Sequence, residues 1–275
     1  MELIEIFKAM ILGIIEGITE WLPISSTGHM ILLDEFLQLG ISDSFKEMFF
    51  VIIQLGAIMA VVVLYWKKIF PFSFKENQVI KKYIITMWIK IVIACMPAAI
   101  IGILFDDKIN LLFYNFQSVA IALIAFGILF IVAENYNKGK SSIANNINQL
   151  TYKMAIVIGL FQLVAAIFPG TSRSGTTILG ALLIGVSRDV AAEFTFFLAI
   201  PVMFGASLLK LIKFGIVFTS FELTVLLVGM VVAFIVSLLT IKFLVGYIKK
   251  HDFKIFGWYR IGLGCILLIY YFMMM

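Results

Sequence analysis

Two short polar segments stand out in this chain, because each combines ionisable side chains with hydroxyl groups. They read EGITEWLPISSTGH at residues 16–29 and PGTSRSGTT at residues 169–177. Glu16 and Glu20 are four residues apart, which places both carboxylates on one face of a helix. Such a pair needs a cation or a proton, and hard oxygen ligands suit Mg²⁺ or Ca²⁺. The alternative is a protonated or hydrogen-bonded pair packed between helices.

Hydroxyl residues follow the proline of each segment, as is common at the start of a helix. A helix N-terminus directs free N–H groups and positive dipole charge toward an anion. Arg173 adds a planar guanidinium that suits phosphate oxygens, although it could instead neutralise Glu16 or Glu20 in a buried ion pair. The sequence therefore predicts a site for a multiply charged anion. Its hydroxyl residues are Ser25, Ser26, Thr27, Thr171, Ser172 and Ser174.

His29 lies three residues after Ser26, within one helical turn, so that its imidazole can address the Ser26 hydroxyl. The other histidine of the chain, His251, lies in a basic loop, where a solvated role is expected. A single histidine is more often structural than catalytic. Here it shares a segment with acids and serines, which favours a catalytic role.

Apolar helices must position these residues, because 63% of the 275 residues are hydrophobic and only 13% are charged. Soluble proteins have about 25% charged residues, so the composition indicates a polytopic membrane protein. The basic residues fall between apolar segments, which argues against nucleic-acid binding. Six segments are long enough to cross a bilayer, at 45–66, 83–105, 116–134, 190–212, 223–245 and 256–274.

The two polar segments interrupt two further apolar regions, residues 3–40 and 153–187. Irregular backbone at membrane depth persists only where protein or a wet cavity surrounds it. We therefore predict two re-entrant helical hairpins with the polar breaks at their tips. The predicted fold is a single all-α membrane domain over residues 1–275, with six transmembrane helices and these two hairpins.

An internal repeat relates the two hairpins, because an offset of 146 residues superimposes both polar segments. It pairs Gly13 with Gly159 and Pro23 with Pro169. Three crossings lie between the copies, and an odd number inverts the second copy in the membrane. The copies, about 1–134 and 153–275, thus form an inverted-topology repeat whose broken helices meet near the midplane.

Basic residues are unevenly divided between the two sets of loops. Fifteen lie on the side of loops 67–82, 135–152 and 246–255, counting Lys90, Lys242 and Arg260 as helix ends, and five lie on the other side. Because cytoplasmic loops carry the excess positive charge, both termini are predicted outside the cytoplasm. If the hairpins instead crossed the membrane fully, the chain would make ten crossings. The basic loops 67–82 and 135–152 would still lie on the same side of the membrane.

Taken together, the two segments strongly resemble the motifs of the bacterial undecaprenyl diphosphate phosphatases, also called bacitracin resistance proteins. The similarity extends to FFVIIQLGAIMAVVVLYWKK and GVSRDVAAEFTFFLAIPVMFGA and covers essentially the whole chain. It implies a cation-dependent removal of the terminal phosphate from a C55 isoprenyl diphosphate at the outer face of the bacterial plasma membrane. That reaction recycles the cell-wall lipid carrier and confers bacitracin resistance.

The resemblance carries roles over to Glu16, Glu20, Ser26, Thr27, His29, Ser172 and Arg173, and the hydroxyl residues at the helix starts add Ser25, Thr171 and Ser174. The expected catalytic residues are Glu20, Ser26, His29 and Arg173, the expected substrate-binding residues are Ser25, Thr27, Thr171, Ser172 and Ser174, and the expected ligands of Mg²⁺ or Ca²⁺ are Glu16 and Glu20. Our preferred mechanism makes Ser26 the nucleophile, activated by His29. Attack by His29 itself, or by water on the cation, would use the same residues.

A transporter, either a lipid flippase or an anion carrier, is the main alternative, because inverted repeats with broken helices are typical of transporters. The pair of Ser26 and His29 beside a phosphate grip favours an enzyme. A phosphatidic-acid-type lipid phosphatase fits poorly, since only His251 and Asp252 follow the Ser-Arg motif, in a distant loop. The expected partners are an isoprenyl diphosphate lipid and membrane lipids, with monomer or homodimer left open.

Overall fold

The computed structural model describes residues 2–72, 80–215 and 218–274, and these ranges are mainly helical, with no strand longer than an isolated bridge. The described residues form ten α-helices: α1 (Glu2–Thr19), α2 (Ser26–Phe36), α3 (Asp43–Ile69), α4 (Lys82–Phe113), α5 (Phe116–Asn137), α6 (Tyr152–Ile167), α7 (Arg173–Leu183), α8 (Arg188–Phe214), α9 (Ser220–Ile248) and α10 (Lys254–Met274). A short 3₁₀ turn, Ile147–Gln149, precedes α6. The all-α class is therefore confirmed.

Six helices of the described chain, α3, α4, α5, α8, α9 and α10, are long and apolar enough to cross a membrane, as predicted. The main difference lies in α4, which continues to Phe113 although its apolar segment ends at 105. An apolar window marks the hydrocarbon core, whereas a helix ends where its backbone is capped. Asn115, for example, caps α5 by accepting a hydrogen bond from the Ser118 N–H at 2.9 Å.

Two helix pairs, α1–α2 and α6–α7, form the predicted hairpins, with breaks at 20–25 and 168–172. The first arm of each packs on a long helix through a glycine. A Cβ added at Gly13 of α1 would lie 2.6 Å from the Gly229 carbonyl oxygen of α9, and one added at Gly159 of α6 would overlap the Ala94 carbonyl oxygen of α4. Small residues allow this close backbone approach. The predicted offset pairs these same two glycines.

Helices at equivalent positions of the two copies pack antiparallel to each other. Lys210, near the end of α8, binds Glu47 near the start of α3 at 3.1 Å, and Lys68 near the end of α3 binds Glu193 near the start of α8 at 2.7 Å. Such reciprocal pairs require the two helices to run in opposite directions. They support the inverted repeat, which stays a prediction.

The loops after α5, α7 and α9 meet at one end of the molecule, which we call the basic end. The Ile143 N–H donates to the Gly185 carbonyl at 2.7 Å, and the Phe253 N–H donates to the Glu134 carboxylate at 2.9 Å. Arg260, which was counted at this end as a helix-end charge, is instead fully buried inside α10, whereas Lys90 is 7% exposed in α4 with its Nζ 5.7 Å from the centroid of the Tyr152 ring at the start of α6. Lys75 lies outside the described residues.

Candidate active site

Each hairpin breaks at a serine whose backbone adopts the left-handed conformation. The φ angles are 74° at Ser25 and 69° at Ser172, and no other described residue except glycine has a positive φ. Each serine Oγ accepts a hydrogen bond from a glycine N–H three residues later, Gly28 at 3.3 Å and Gly175 at 3.1 Å. This conformation costs a non-glycine residue about 1–3 kcal/mol and clusters at functional sites. The strained serines start α2 and α7.

The matching conformations shift the local register of the repeat by one residue. The offset of 146 pairs Ser26 with Ser172, whereas in the structure Ser25 and Ser172 are the equivalent N-cap residues. Ser26 and Arg173 therefore occupy the same position, the first residue of the second arm. One hairpin presents a hydroxyl at this position and the other presents a guanidinium.

The carboxylate of Glu20 joins these two positions. Ser26 Oγ donates a hydrogen bond to Glu20 Oε2 at 2.9 Å, and Arg173 Nη2 donates to Glu20 Oε1 at 2.6 Å. The other terminal nitrogen, Arg173 Nη1, donates to the Thr195 carbonyl at 3.0 Å. Ser174 Oγ donates to the backbone carbonyl of Glu20 at 3.0 Å. The tips of the two hairpins therefore meet.

The buried ion pair that the sequence left open for Arg173 is thus present, with side-chain exposures of 14% for Arg173 and 8% for Glu20. A buried ion pair gives little net stability, because desolvation offsets the attraction between the charges. Here the pair also orients Glu20 toward Ser26.

Glu16 lies one turn before Glu20 on α1 and is 1% exposed, and its Oε1 has no hydrogen-bond partner among the described residues. An unpaired buried polar atom costs about 1–3 kcal/mol. The described residues contain no group of three His, Cys, Asp or Glu side chains that could hold a metal ion. Two carboxylates fit Mg²⁺ when phosphate oxygens of a substrate complete the coordination.

Gln162 on α6 corresponds to Glu16 under the repeat offset and is equally buried, at 1% exposure. Neither atom of its side-chain amide has a partner among the described residues. The second copy therefore carries a neutral amide where the first carries an acid. Only the first hairpin supplies carboxylates to the site.

The His29 ring forms no hydrogen bond with the Ser26 hydroxyl, contrary to the prediction. Its Nδ1 lies 2.7 Å from the Ser25 carbonyl oxygen, and its Nε2 lies 2.7 Å from the Tyr259 hydroxyl of α10. A carbonyl only accepts, so Nδ1 carries the proton and Nε2 of the neutral ring accepts from Tyr259. The hydrogen bond to the Ser25 carbonyl, one turn earlier, therefore holds the imidazole away from Ser26. Glu20, rather than His29, is the acceptor beside the Ser26 hydroxyl.

Several predicted substrate-binding hydroxyls are used within the protein. Ser25 and Ser172 cap their helices, Ser172 Oγ lies 3.1 Å from Ser174 Oγ, and Thr171 Oγ1 donates to the Phe168 carbonyl at 2.9 Å. Thr27 is half-buried, and its hydroxyl has no hydrogen-bond partner among the described residues. Ser26, whose hydroxyl donates to Glu20, and Thr27 are both half-buried in the first turn of α2, and theirs are the hydroxyls best placed to meet a ligand.

Arg260 of α10, which the sequence analysis placed at a helix end, connects the two breaks. It donates from Nη1 to the Pro23 carbonyl at 3.3 Å and from Nη2 to the Gly170 and Thr171 carbonyls at 3.1 and 2.6 Å. Its side chain is fully buried. The available signal was an arginine inside an apolar segment, since such residues are rare and usually functional.

The fold defines an all-α polytopic membrane protein in which the tips of two helical hairpins meet at the buried carboxylate of Glu20. Residues 9–266 match the family model described as "Bacitracin resistance protein BacA". The chain is 69% identical to an undecaprenyl-diphosphatase of Desulfitobacterium hafniense, over 98% of both chains. It is 66% identical to undecaprenyl-diphosphatase 1 of Clostridium acetobutylicum, over 98% of this chain and 99% of the relative. An undecaprenyl-diphosphatase of Enterococcus faecalis is 59% identical over 98% of both chains.

The chain belongs to the family of the bacitracin resistance protein BacA, which its match over nearly the whole length establishes.

Proposed function

We propose that this chain is an undecaprenyl diphosphate phosphatase, which hydrolyses the C55 isoprenyl diphosphate to the monophosphate and inorganic phosphate. The reaction recycles the cell-wall lipid carrier and confers bacitracin resistance. The names of the relatives support this activity. The observation that carries it is the convergence of Ser26 and Arg173, from different hairpins, on the carboxylate of Glu20.

Ser26 is the proposed nucleophile. Its Oγ attacks the terminal phosphorus, its proton passes to Glu20 Oε2, and the bridging P–O bond breaks to release the isoprenyl monophosphate. The hydrogen bond of 2.9 Å between these two groups is the geometry that a general base needs. Water then attacks the phosphoserine and releases inorganic phosphate.

Arg173 stabilises the transferring phosphoryl group. A phosphate that enters the site draws the guanidinium away from Glu20, and this exchange frees the carboxylate to accept the proton of Ser26. The first N–H groups of α2 and α7 have no partners within their helices, and both helices start at this site. Preorganised donors of this kind contribute a large share of catalysis in phosphoryl transfer.

His29 acts separately from Ser26 in this proposal. Its Nε2 lone pair accepts a hydrogen bond from the Tyr259 hydroxyl at 2.7 Å, and it takes a proton of the attacking water once Tyr259 gives up this hydrogen bond. Direct attack by Nε2 on the phosphorus is the alternative for this residue. Locating the phosphate on Ser26 or on His29 in a trapped enzyme distinguishes the two.

Glu16 and Glu20 would hold a divalent cation, Mg²⁺ or Ca²⁺, together with the diphosphate. When bound, the cation supplies positive charge to the phosphate oxygens. The unpartnered Oε1 of Glu16 is the donor atom that supports this proposal.

The proposed orientation places both termini and the opening of the active site at the outer face of the plasma membrane. The accumulation of lysine residues at the basic end supports this orientation. Labelling of single cysteines introduced at Lys140 and at Gln38 tests it. Only the second is expected to react with an impermeant reagent added to intact cells.

Phosphate release from purified protein tests the activity itself. Isoprenyl diphosphates of several chain lengths are incubated with Mg²⁺ or Ca²⁺, with Ser26→Ala as the inactive control. Release that depends on Ser26 supports the proposal. No release from any diphosphate lipid would refute it and would favour transport.

A further inference from the structure

A cavity of about 560 Å³ lies at the basic end, away from the active site. It is enclosed by the end of α5, the loop that follows it, the turn between α7 and α8, and the end of α9. None of the residues that we place in the active site lines it. Its polar lining residues include Glu134, Lys140, Arg188, Asp189 and Lys249.

Arg188 is held in a fixed orientation on the wall of this cavity. Its Nε donates to Glu134 Oε1 at 2.9 Å, and its Nη2 also binds the same carboxylate. Glu134 is itself fixed, since its side chain is 1% exposed and it accepts a hydrogen bond from the Phe253 N–H. The Arg188 side chain is 39% exposed, and its Nη1 has no hydrogen-bond partner among the described residues. A guanidinium with a free edge suits a phosphate oxygen.

Two lysines add positive charge to the cavity. Lys140 and Lys249 line it, and neither forms an ion pair with another described residue. Lys140 Nζ instead lies 3.0 Å from the centroid of the Tyr136 ring. Asp189 opposes these charges, and Glu134 is already paired with Arg188. Three cations and two carboxylates leave one positive charge, which matches a singly charged phosphodiester.

Large apolar side chains border the same cavity. Ile143 is 71% exposed, Tyr136 is 60% exposed and Leu183 is 41% exposed, and all three line the cavity. Exposed apolar groups next to cationic groups suit an amphipathic ligand rather than a free anion. Acyl chains would cover the apolar groups while a headgroup phosphate reaches the basic groups.

We propose that this cavity binds the headgroup of an anionic glycerophospholipid, with the phosphate held by Arg188, Lys140 and Lys249. Basic pockets between the ends of transmembrane helices are known to take such headgroups. The site joins the loops after α5, α7 and α9, so a bound lipid would stabilise the basic end of the protein. The inference does not depend on the proposed phosphatase activity.

Lipid titration of the purified full chain in detergent tests the proposal, with native mass spectrometry to count bound phosphatidylglycerol. The variant Lys140→Gln with Lys249→Gln is compared with Lys138→Gln with Lys250→Gln. The second pair makes the same change in net charge at exposed lysines of the same end that do not line the cavity. Asp189→Asn changes the charge of the cavity in the opposite direction, because it removes a negative charge.

The cavity pair is expected to weaken phosphatidylglycerol binding by at least about tenfold, because each lysine near a lipid phosphate contributes appreciably. The control pair is expected to retain wild-type affinity, and Asp189→Asn is expected to bind more tightly. Equal weakening in both pairs, or no weakening in either, would overturn the proposal. Inorganic phosphate that displaces the lipid at equal concentration would show a free-anion site instead. If the double variant Lys140→Gln with Lys249→Gln does not fold, the single variant Lys249→Gln takes its place.

Discussion

The guanidinium of Arg173 lies 2.6 Å from the carboxylate of Glu20, although 153 positions of sequence separate the two residues. Each belongs to a different helical hairpin, and neither hairpin alone contains all the residues of the proposed site. The first supplies the acids, Ser26 and His29, and the second supplies the guanidinium. Catalysis in this account therefore requires both copies of the repeat to be docked at their tips.

Glu20→Gln tests the role of the carboxylate as a base. The amide keeps the size of the side chain and can still accept a hydrogen bond from Ser26, but it cannot take the proton. We expect phosphate release to fall by at least about 100-fold, the scale of lost general-base help. Glu47→Gln is the matched control, because Glu47 is 70% exposed and its ion pair with Lys210 lies at the surface. Equal rates in both variants would exclude Glu20 as the base.

Tyr259→Phe tests how His29 is held. The substitution removes the hydroxyl that lies 2.7 Å from His29 Nε2 and keeps the ring that stacks on the imidazole. Loss of one hydrogen bond is worth about 1 kcal/mol, so turnover should fall by roughly fivefold and the pH–rate profile should shift. Tyr271→Phe, on the same helix, should change neither quantity. An unchanged profile for Tyr259→Phe would contradict a role for this contact.

Gly175→Ala tests the packing of Arg260 against the second break. A Cβ at this position would lie 2.6 Å from Arg260 Nη1, and three backbone carbonyls hold that guanidinium in place. We expect lower thermal stability and lower activity, with a loss of about 1–3 kcal/mol from the forced displacement. Gly262→Ala has nothing within 4 Å of the new Cβ and should be tolerated. Thermal unfolding in detergent measures both variants, and a stable, active Gly175→Ala would argue against this bridge.

Glu16→Gln tests the proposed cation. Removal of one of two carboxylates should raise the concentration of Mg²⁺ or Ca²⁺ that gives half-maximal activity by at least about tenfold. Glu5→Gln, on the same helix but in an ion pair with Lys8 at 2.9 Å, serves as the control. Identical activation curves for wild type and Glu16→Gln would remove Glu16 from the cation site.

The sequence predicted the helices and the hairpin tips well, because hydrocarbon thickness and backbone hydrogen bonding restrict what an apolar chain can do. Ser25 and Ser172 were among the six hydroxyl residues predicted at the starts of the second arms, because hydroxyl side chains cap helix N-termini. The one-residue shift that pairs Ser25 with Ser172 was not, since it depends on backbone conformation in the breaks.

The partners of His29 and Arg260 could not be read from the sequence. Ser26 is near His29 along the chain, but the imidazole instead contacts Tyr259, which is 230 positions away. Arg260 was counted as a helix-end charge because nothing in its own segment shows that two breaks pack against α10. The hydrogen-bond partners of both residues lie in distant segments of the chain, and only the three-dimensional structure brings them together.

A double-mutant cycle on phosphate release tests the central claim that Ser26 and Arg173 act on one phosphate group. Ser26→Ala, Arg173→Ala and the double variant are measured under the same conditions, with helix content checked by circular dichroism. Residues that act as a unit show strongly non-additive losses. We expect the double variant to be about as slow as the slower single variant. Losses that multiply would mean that the two residues act independently, which would contradict this claim.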